Sequence, residues 1–220
     1  MSATFQPFGL KPVYHPSGLD RAVPFVGTNT FVPGTSYSAP YSFSSGQSFY
    51  EFQPVAITSS GQLTIANQTA SSGKVYGVFN GIEYTNSDGR RSVAKYAALT
   101  TLAAATNIVF WIFSDPAIVY EIQCNGSVTS AAIGTEYNFD TTAGSTVTDG
   151  YAIGVGGAGF STTALLATAV GTGNQGQVRV VGLGREAAYP AGNTNQWGDA
   201  YTIVQVQISN NTFAAPSVSV

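Results

Sequence analysis

Short apolar runs separated by glycine-rich turns restrict the fold of this chain more than any other feature of its sequence. In the clearest run, residues 201–208, apolar and glutamine side chains alternate. A period of two is typical of a strand with one buried face. Comparable runs occupy residues 74–85, 90–96, 107–113, 117–123 and 178–183. This pattern predicts an all-β fold with a single antiparallel β-barrel or β-sandwich domain.

The turn between two of these runs predicts a hairpin. Residues 86–89 read Asn-Ser-Asp-Gly, and Gly89 can adopt the positive φ that a tight turn requires. Two segments could be helical, residues 97–105 and 161–170. Both are rich in threonine and lack convincing N-cap residues, so neither favours a helix.

The first 48 residues differ in composition from the rest of the chain. Seven of the ten prolines lie within the first 54 residues, interleaved with aromatic residues. Because proline fixes φ and lacks an N–H, this spacing predicts an extended arm. Exposed aromatic side chains are unfavourable, so we expect the arm to lie against its own body or a neighbouring subunit. A poorly ordered tail is the alternative.

The predicted organisation is therefore an N-terminal arm over residues 1–48, a β domain over 49–209 and a C-terminal tail over 210–220. The N-terminal residues lack the basic and apolar regions of a signal peptide, so we expect synthesis in a cytoplasm. The longest continuous apolar run, residues 108–113, is far shorter than the roughly 20 residues of a membrane span. We predict a buried strand there and no membrane partner.

Charge is scarce in this chain. Asp, Glu, Lys and Arg make up 9% of the residues, against about 25% in ordinary soluble domains. Surface charge keeps soluble proteins apart, so its replacement by small polar residues predicts a surface that lies against neighbours. The net charge is −3 and no basic stripe is present. Nucleic-acid binding is therefore not expected.

The motifs that could carry chemistry are weak, and we predict no enzyme, no cofactor and no metal. Residues 154–159 match G-x-G-x-x-G, but the strand, helix and acidic residue that a dinucleotide site needs are not predicted around them. His15 is expected to be a neutral arm residue bonded to the backbone. Cys124 is the only cysteine, which excludes a disulfide framework and a cysteine-based zinc site.

Two carbohydrate-related functions stay open at this point. A glycan-cleaving site would need convergent carboxylates, and the candidates are Asp115, Glu121, Glu136 and Asp140. We expect Asp115 to form a turn and Glu121 to point outward from a strand. A sugar-binding module would need an exposed tryptophan. Trp111 lies in an apolar strand and is predicted to be core, which leaves Trp197 as the candidate.

Charged residues concentrate around the predicted hairpin, with five of them between positions 83 and 95. A solvated hairpin tip explains them, and a polar patch that sets the register on a partner is the functional alternative. Together with the aromatic residues of the arm, they supply the predicted partner contacts. The predicted contacts are Tyr14, Phe25, Phe31, Tyr37, Tyr41, Arg90 and Arg91.

Four blocks of sequence resemble a group of tailed-bacteriophage virion proteins. They read GLKPVYHPSG at 9–18, VFNGIEY at 78–84, DPAIVYEIQ at 115–123 and GDAYTIV at 198–204. The group occurs in podovirus-like phages of aquatic bacteria, next to the capsid genes. None of the blocks is a catalytic signature.

The resemblance implies a capsid decoration, or cement, protein that binds the outside of an icosahedral head. Its implied partners are the major capsid protein and further copies of itself, as a homotrimer or another homo-oligomer. Its implied location is the capsid surface of the virion, after synthesis in the host cytoplasm. A tail, neck or fibre-associated virion protein is the alternative, since low charge and glycine-rich β structure fit both.

Overall fold

The computed structural model describes residues 5, 7–18, 22–26, 41, 48–66, 73–98, 102–140, 161, 163–171, 173–185 and 195–213. Over these ranges the chain is almost entirely β structure, and all paired strands run antiparallel. The predicted all-β antiparallel fold is therefore confirmed, with no closed barrel among the described strands. Nor do these ranges contain a helix long and apolar enough to cross a membrane.

The strands are numbered in chain order. The first eight are β1 (Lys11–Tyr14), β2 (Val23–Phe25), β3 (Ser48–Tyr50), β4 (Pro54–Ile57), β5 (Leu63–Ile65), β6 (Gly77–Thr85), β7 (Arg91–Ala94) and β8 (Tyr96–Ala98). The others are β9 (Thr106–Phe113), β10 (Val119–Gln123), β11 (Glu136–Asp140), β12 (Ala164–Ala169), β13 (Val178–Leu183) and β14 (Ile203–Ile208). A short 3-10 helix, Ser130–Ala132, lies between β10 and β11.

Sheet A contains six strands in the order β1-β10-β14-β13-β11-β12. It curls so far that Cys124, just after β10, forms an isolated parallel bridge with Leu165 of β12. A single bridge is not a continuous ladder of hydrogen bonds, so the sheet curls around a hydrophobic core without closing into a barrel. In β14 the valines and isoleucines are buried and the glutamines half-buried, as the alternation predicted.

The interior of sheet A holds the first hydrophobic core. Alternate residues of five strands point inward, because successive side chains of a strand point to opposite faces. Tyr120 and Phe139 are its largest fully buried side chains. Its other members on the strands include Ile122, Tyr137, Leu165, Val178, Val180, Val204, Val206 and Ile208.

Sheet B also contains six strands, in the order β2-β9-β6-β4-β5, with β7 also paired to β6. β4 pairs with the beginning of β6 and β7 with its end. One face of this sheet carries the second hydrophobic core, which the two-stranded sheet β3-β8 helps to cover. In this core Phe49 stacks on Phe79 with ring centroids 5.4 Å apart and meets Phe110 edge-on at 5.1 Å.

The described parts of residues 1–48 form edge strands of the two sheets. β1 pairs with β10 and β2 with β9, which are consecutive strands. Each edge strand has a central proline, Pro12 or Pro24, whose nitrogen cannot donate to a ladder. A further strand is thereby disfavoured at both edges. These parts of the predicted arm lie against their own body, while the division into arm, domain and tail stays a prediction.

The predicted hairpin is confirmed as β6 and β7. Its turn is closed by the Asn86 N–H, which donates to the Arg90 carbonyl oxygen at 2.8 Å, and Gly89 has a φ of +81°. Of the two segments that could be helical, residues 161–170 contain strand β12. Residues 97–105 begin at the end of β8 and Leu102 has helical geometry, while residues 99–101 lie outside the described ranges.

Candidate interaction surface

Sheet B has a second face, which points away from the second core. Residues directly opposite each other in antiparallel strands point to the same face. Trp111 of β9 lies between Pro24 and Gly81, and Glu83 of β6 lies between Val109 and Val93. We define the open face as these residues and two neighbours. Its members are Pro24, Gly81, Glu83, Thr85, Arg91, Val93, Val109 and Trp111.

The open face continues a surface that is packed inside the protein. Val78 and Phe113 form the preceding pair of β6 and β9, and both belong to the first core with sheet A. A β-bulge adds one residue to β6 between Phe79 and Gly81. Because of this extra residue, Gly81 points to the same face as its partner in β9 and as the Val78–Phe113 pair. Beyond the Val78–Phe113 pair, the apolar side chains of this face are half-buried or exposed.

Trp111 is not the core residue that its apolar strand predicted. It is half-buried on the open face, whereas its neighbours Phe110 and Ile112 are fully buried on the other. The run 108–113 is apolar on both faces, so its sequence does not distinguish them. Gly81, opposite Trp111, is buried although it has no side chain of its own.

The charged residues of the hairpin form ion pairs with one another. Arg91 bonds to Glu83 across the strands, on the open face, and its side chain is 71% exposed. Arg90 lies in the turn, with its Nε 3.6 Å from an Asp88 carboxylate oxygen. Of the two arginines predicted to contact a partner, the structure therefore places Arg91 on the open face and Arg90 beside it.

The aromatic residues predicted to contact a partner are dispersed. Tyr14, at the end of β1, is 60% exposed. Phe25 of β2 is half-buried, with its ring centroid 5.6 Å from that of Tyr76. Tyr41 belongs to the second core and meets Phe110 edge-on, so its ring is a core element and not an exposed contact. Phe31 and Tyr37 lie outside the described residues.

A second exposed aromatic lies in the predicted C-terminal tail. Phe213 is 73% exposed and packs its ring edge against Tyr76 at 5.5 Å. The residues before it run along Val75, whose N–H donates to the Asn210 carbonyl oxygen at 2.8 Å. Phe213 stands alone among polar residues and alanines, so no periodic pattern marked it in the sequence.

His15 joins the turn after β1 to the turn between β9 and β10. The Ser17 N–H donates to its Nδ1 at 3.0 Å, so that nitrogen carries no proton and the neutral ring donates from Nε2. Asp115 Oδ2 accepts this bond at 3.0 Å. The predicted bond to the backbone is present, but the imidazole is also buried, with 6% of the side chain exposed. Both ring nitrogens are thus engaged.

The carboxylates considered for glycan cleavage are held by separate partners. Glu121 accepts bonds from the Arg185 N–H at 2.8 Å and Gln205 Nε2 at 3.3 Å. Its neighbours Tyr120 and Ile122 point into the first core, so Glu121 lies on the outer face of β10, where it is only 6% exposed. Glu136 bonds to Arg179 at 2.8 Å, and Asp140 accepts from Asn125 Nδ2 at 2.6 Å. Every described carboxylate has a partner within the chain.

The remaining candidates for chemistry lie apart from the open face or outside the described residues. Trp197 is half-buried and packs against the first core. Burial raises the pKa of the Cys124 thiol to about 12, which keeps it protonated at neutral pH. No group of three or more His, Cys, Asp or Glu residues that could hold a metal occurs in the described ranges. The G-x-G-x-x-G match at 154–159 lies outside them.

Comparisons of this chain with protein-family models, with curated proteins and with solved structures find no match. Function is therefore argued from the geometry of the chain and from its four sequence blocks. Of the geometric features, the open face combines exposed apolar side chains with fixed charges of both signs. It is the candidate interaction surface of the protein.

Proposed function

We propose that this protein is a structural protein of a phage virion, which binds the outside of the icosahedral head and stabilises it. The four sequence blocks support this proposal, and so does the way the chain handles its charge. Charged residues are only 9% of the chain. Four described carboxylates pair with a lysine or arginine of the same chain, so little unbalanced charge is left for a partner to neutralise. That internal charge pairing is the observation on which the proposal rests.

A neutral surface suits a protein that binds in many copies. Burying a charge without a partner is costly, whereas burying neutral side chains that keep their hydrogen bonds is not. The major capsid protein presents the same surface many times over a head. Weak contacts can therefore add up when copies of the chain also bind one another, as a trimer or another oligomer.

The experiment is to add the purified chain to virions that lack it and to label it with an antibody in the electron microscope. We expect label spread evenly over the heads, together with co-sedimentation of the chain with them. Label restricted to the tail or one vertex would replace this proposal with a tail, neck or fibre role. Absence of label and of co-sedimentation would contradict every virion role.

Carbohydrate binding is the second candidate, and the open face is the observation that favours it. The partly exposed Trp111 could stack on a sugar, and Glu83 and Arg91 on the same face could bond its hydroxyl groups. Trp197 is less suited, because it packs against the first core. Retardation in polysaccharide-containing gels that is lost on Trp111→Ala and kept on Phe213→Ala would support this function.

A further inference from the structure

The open face of sheet B is a partly exposed surface that carries a tryptophan and an arginine, two residue types enriched in protein interfaces. We propose that two copies of this chain pack together through it, across a twofold axis. This inference goes beyond head binding and does not depend on it. Three observations carry it: the apolar centre of the face, its continuity with a packed surface and its self-complementary charges.

The apolar centre consists of Trp111, Val109 and the exposed residues Pro24 and Val93. Val93 alone leaves 74% of its surface exposed, and Trp111 and Val109 are half-buried. Tryptophan and arginine are the residues in which binding energy most often concentrates, and Arg91 borders this centre. Burying these side chains against a partner would remove apolar surface from water.

The face is already a packing surface at one end. There, Val78 and Phe113 pack into the first core with sheet A. Stacked sheets lie about 10 Å apart, with interdigitated side chains. The open face continues this surface along β6 and β9, so it has the pleat and side-chain spacing that a second sheet requires. A second copy of the chain supplies a sheet with the same spacing.

The charges of the face are complementary to themselves. Glu83 and Arg91 lie on the same face and carry opposite charges. A twofold axis brings each residue of one copy opposite its counterpart in reverse order, so Arg91 of one copy can meet Glu83 of the other. The carboxylate has a second oxygen and the guanidinium has further N–H donors for this contact. Neither copy then needs a partner of opposite net charge.

The size of the face sets the expected strength. Four strands about 4.8 Å apart and about five residues long cover on the order of 300 Å². A stable complex of standard size buries about 800 Å² on each partner. We therefore expect a weak dimer that forms at high protein concentration, or on a particle where many copies are held close together. A twofold contact gives a dimer, in contrast to the trimer that the resemblance implies.

The first test is sedimentation velocity of the full chain over a range of concentrations. We expect a monomer–dimer equilibrium in which Trp111→Ala raises the dissociation constant at least about tenfold. Val93→Asp should have the same effect, and it is a safe variant for folding because the side chain is exposed. Phe213→Ala is the matched control, since it removes an exposed aromatic elsewhere and should leave the constant unchanged.

The second test uses charge reversal in separate copies. Glu83→Arg gives a face with two positive charges, and Arg91→Glu gives one with two negative charges. Each variant alone should remain monomeric, whereas an equimolar mixture should form a heterodimer. Dimer formation that returns on mixing identifies a contact between copies, because a folding defect in either variant could not be repaired by the other variant.

Three outcomes would overturn the inference. The wild-type chain could stay monomeric at every concentration, or form an oligomer whose dissociation constant does not respond to Trp111→Ala and Val93→Asp. The two charge variants could also fail to associate when mixed. Head binding by a wild-type monomer would leave the proposed function standing while removing this contact. Loss of polysaccharide retardation without any change in mass would assign the face to a glycan.

Discussion

Sheets A and B each contain six strands, yet they bury their apolar residues in different ways. Sheet A curls around the first core, so one sheet supplies most of its own covering. Sheet B stays more open, with the second core on one face and the open face on the other. A curled sheet can bury its apolar side chains against one another, whereas an open sheet with apolar residues on both faces needs a separate packing partner for each face.

The two central strands show this difference in their sequences. In β14, buried valine and isoleucine alternate with half-buried glutamine, so only one face requires a packing partner. In β9, Phe110 and Ile112 are buried in the second core, while Val109 and Trp111 point the other way. Surplus apolar surface on an otherwise polar chain therefore marks the place where we expect a partner.

The largest expected effect compares two neighbours in β9. Phe110→Ala removes a fully buried ring from the second core and should lower the free energy of unfolding by about 3–5 kcal/mol. Trp111→Ala, on the open face, should lower it by less, because the indole is not fully buried before the substitution. Urea unfolding of the isolated chain measures both. Equal losses would mean that the two faces of sheet B are equally covered.

The next effect concerns the N-terminal segment that borders both sheets. Gly9 has a φ of +76°, and a Cβ there would collide with the Phe52 carbonyl and the Ser161 side chain. Gly9→Ala should lower the free energy of unfolding by about 2–3 kcal/mol, from backbone strain and the collision together. Gly89→Ala is the control, with a φ of +81° and open space around it. If Gly89→Ala lowered the free energy of unfolding by as much, backbone strain alone would explain the effect of Gly9→Ala.

A smaller effect is expected at the turn that passes between the sheets. His15→Ala removes the bonds to Ser17 and Asp115 and should cost about 1–2 kcal/mol. Hydrogen exchange followed by mass spectrometry should show faster exchange in β1 and β2 and unchanged exchange in β14. Uniformly faster exchange would show that the N-terminal strands unfold together with the two cores and not before them.

The last effect lies inside sheet A and is absent at neutral pH, because it appears only at alkaline pH. Burial raises the pKa of Cys124 from 9.0 to about 12, so the folded chain keeps a proton that the unfolded chain loses. The stabilisation is fully present below pH 9 and is lost as the pH rises towards 12. Cys124→Ala should therefore show a shallower fall in unfolding free energy over this interval. Rapid labelling of the native thiol by Ellman's reagent at pH 8 would contradict its burial.

Sequence reasoning located strands and turns well, but it did not distinguish the two faces of a strand that is apolar on both. The run 178–183 coincides with β13, and the turn at Gly89 has the predicted positive φ. Trp111 was predicted to be core and is only half-buried, whereas Tyr41, from the arm predicted to lie against its own body or a partner, packs in the second core. Strand identity depends on the local alternation of residues, whereas exposure depends on which other segments pack on a face.

The amino-acid sequence by itself determined the β class, the hairpin and the poverty of charge, because each follows from local periodicity, turn chemistry or composition. Only the tertiary structure decided that His15 meets Asp115 and that Glu121 is buried beside Arg185. It also decided that Trp111 is only half-buried, on the face of sheet B that points away from the second core. These features join residues far apart in the chain, and their positions depend on how two sheets curl and meet.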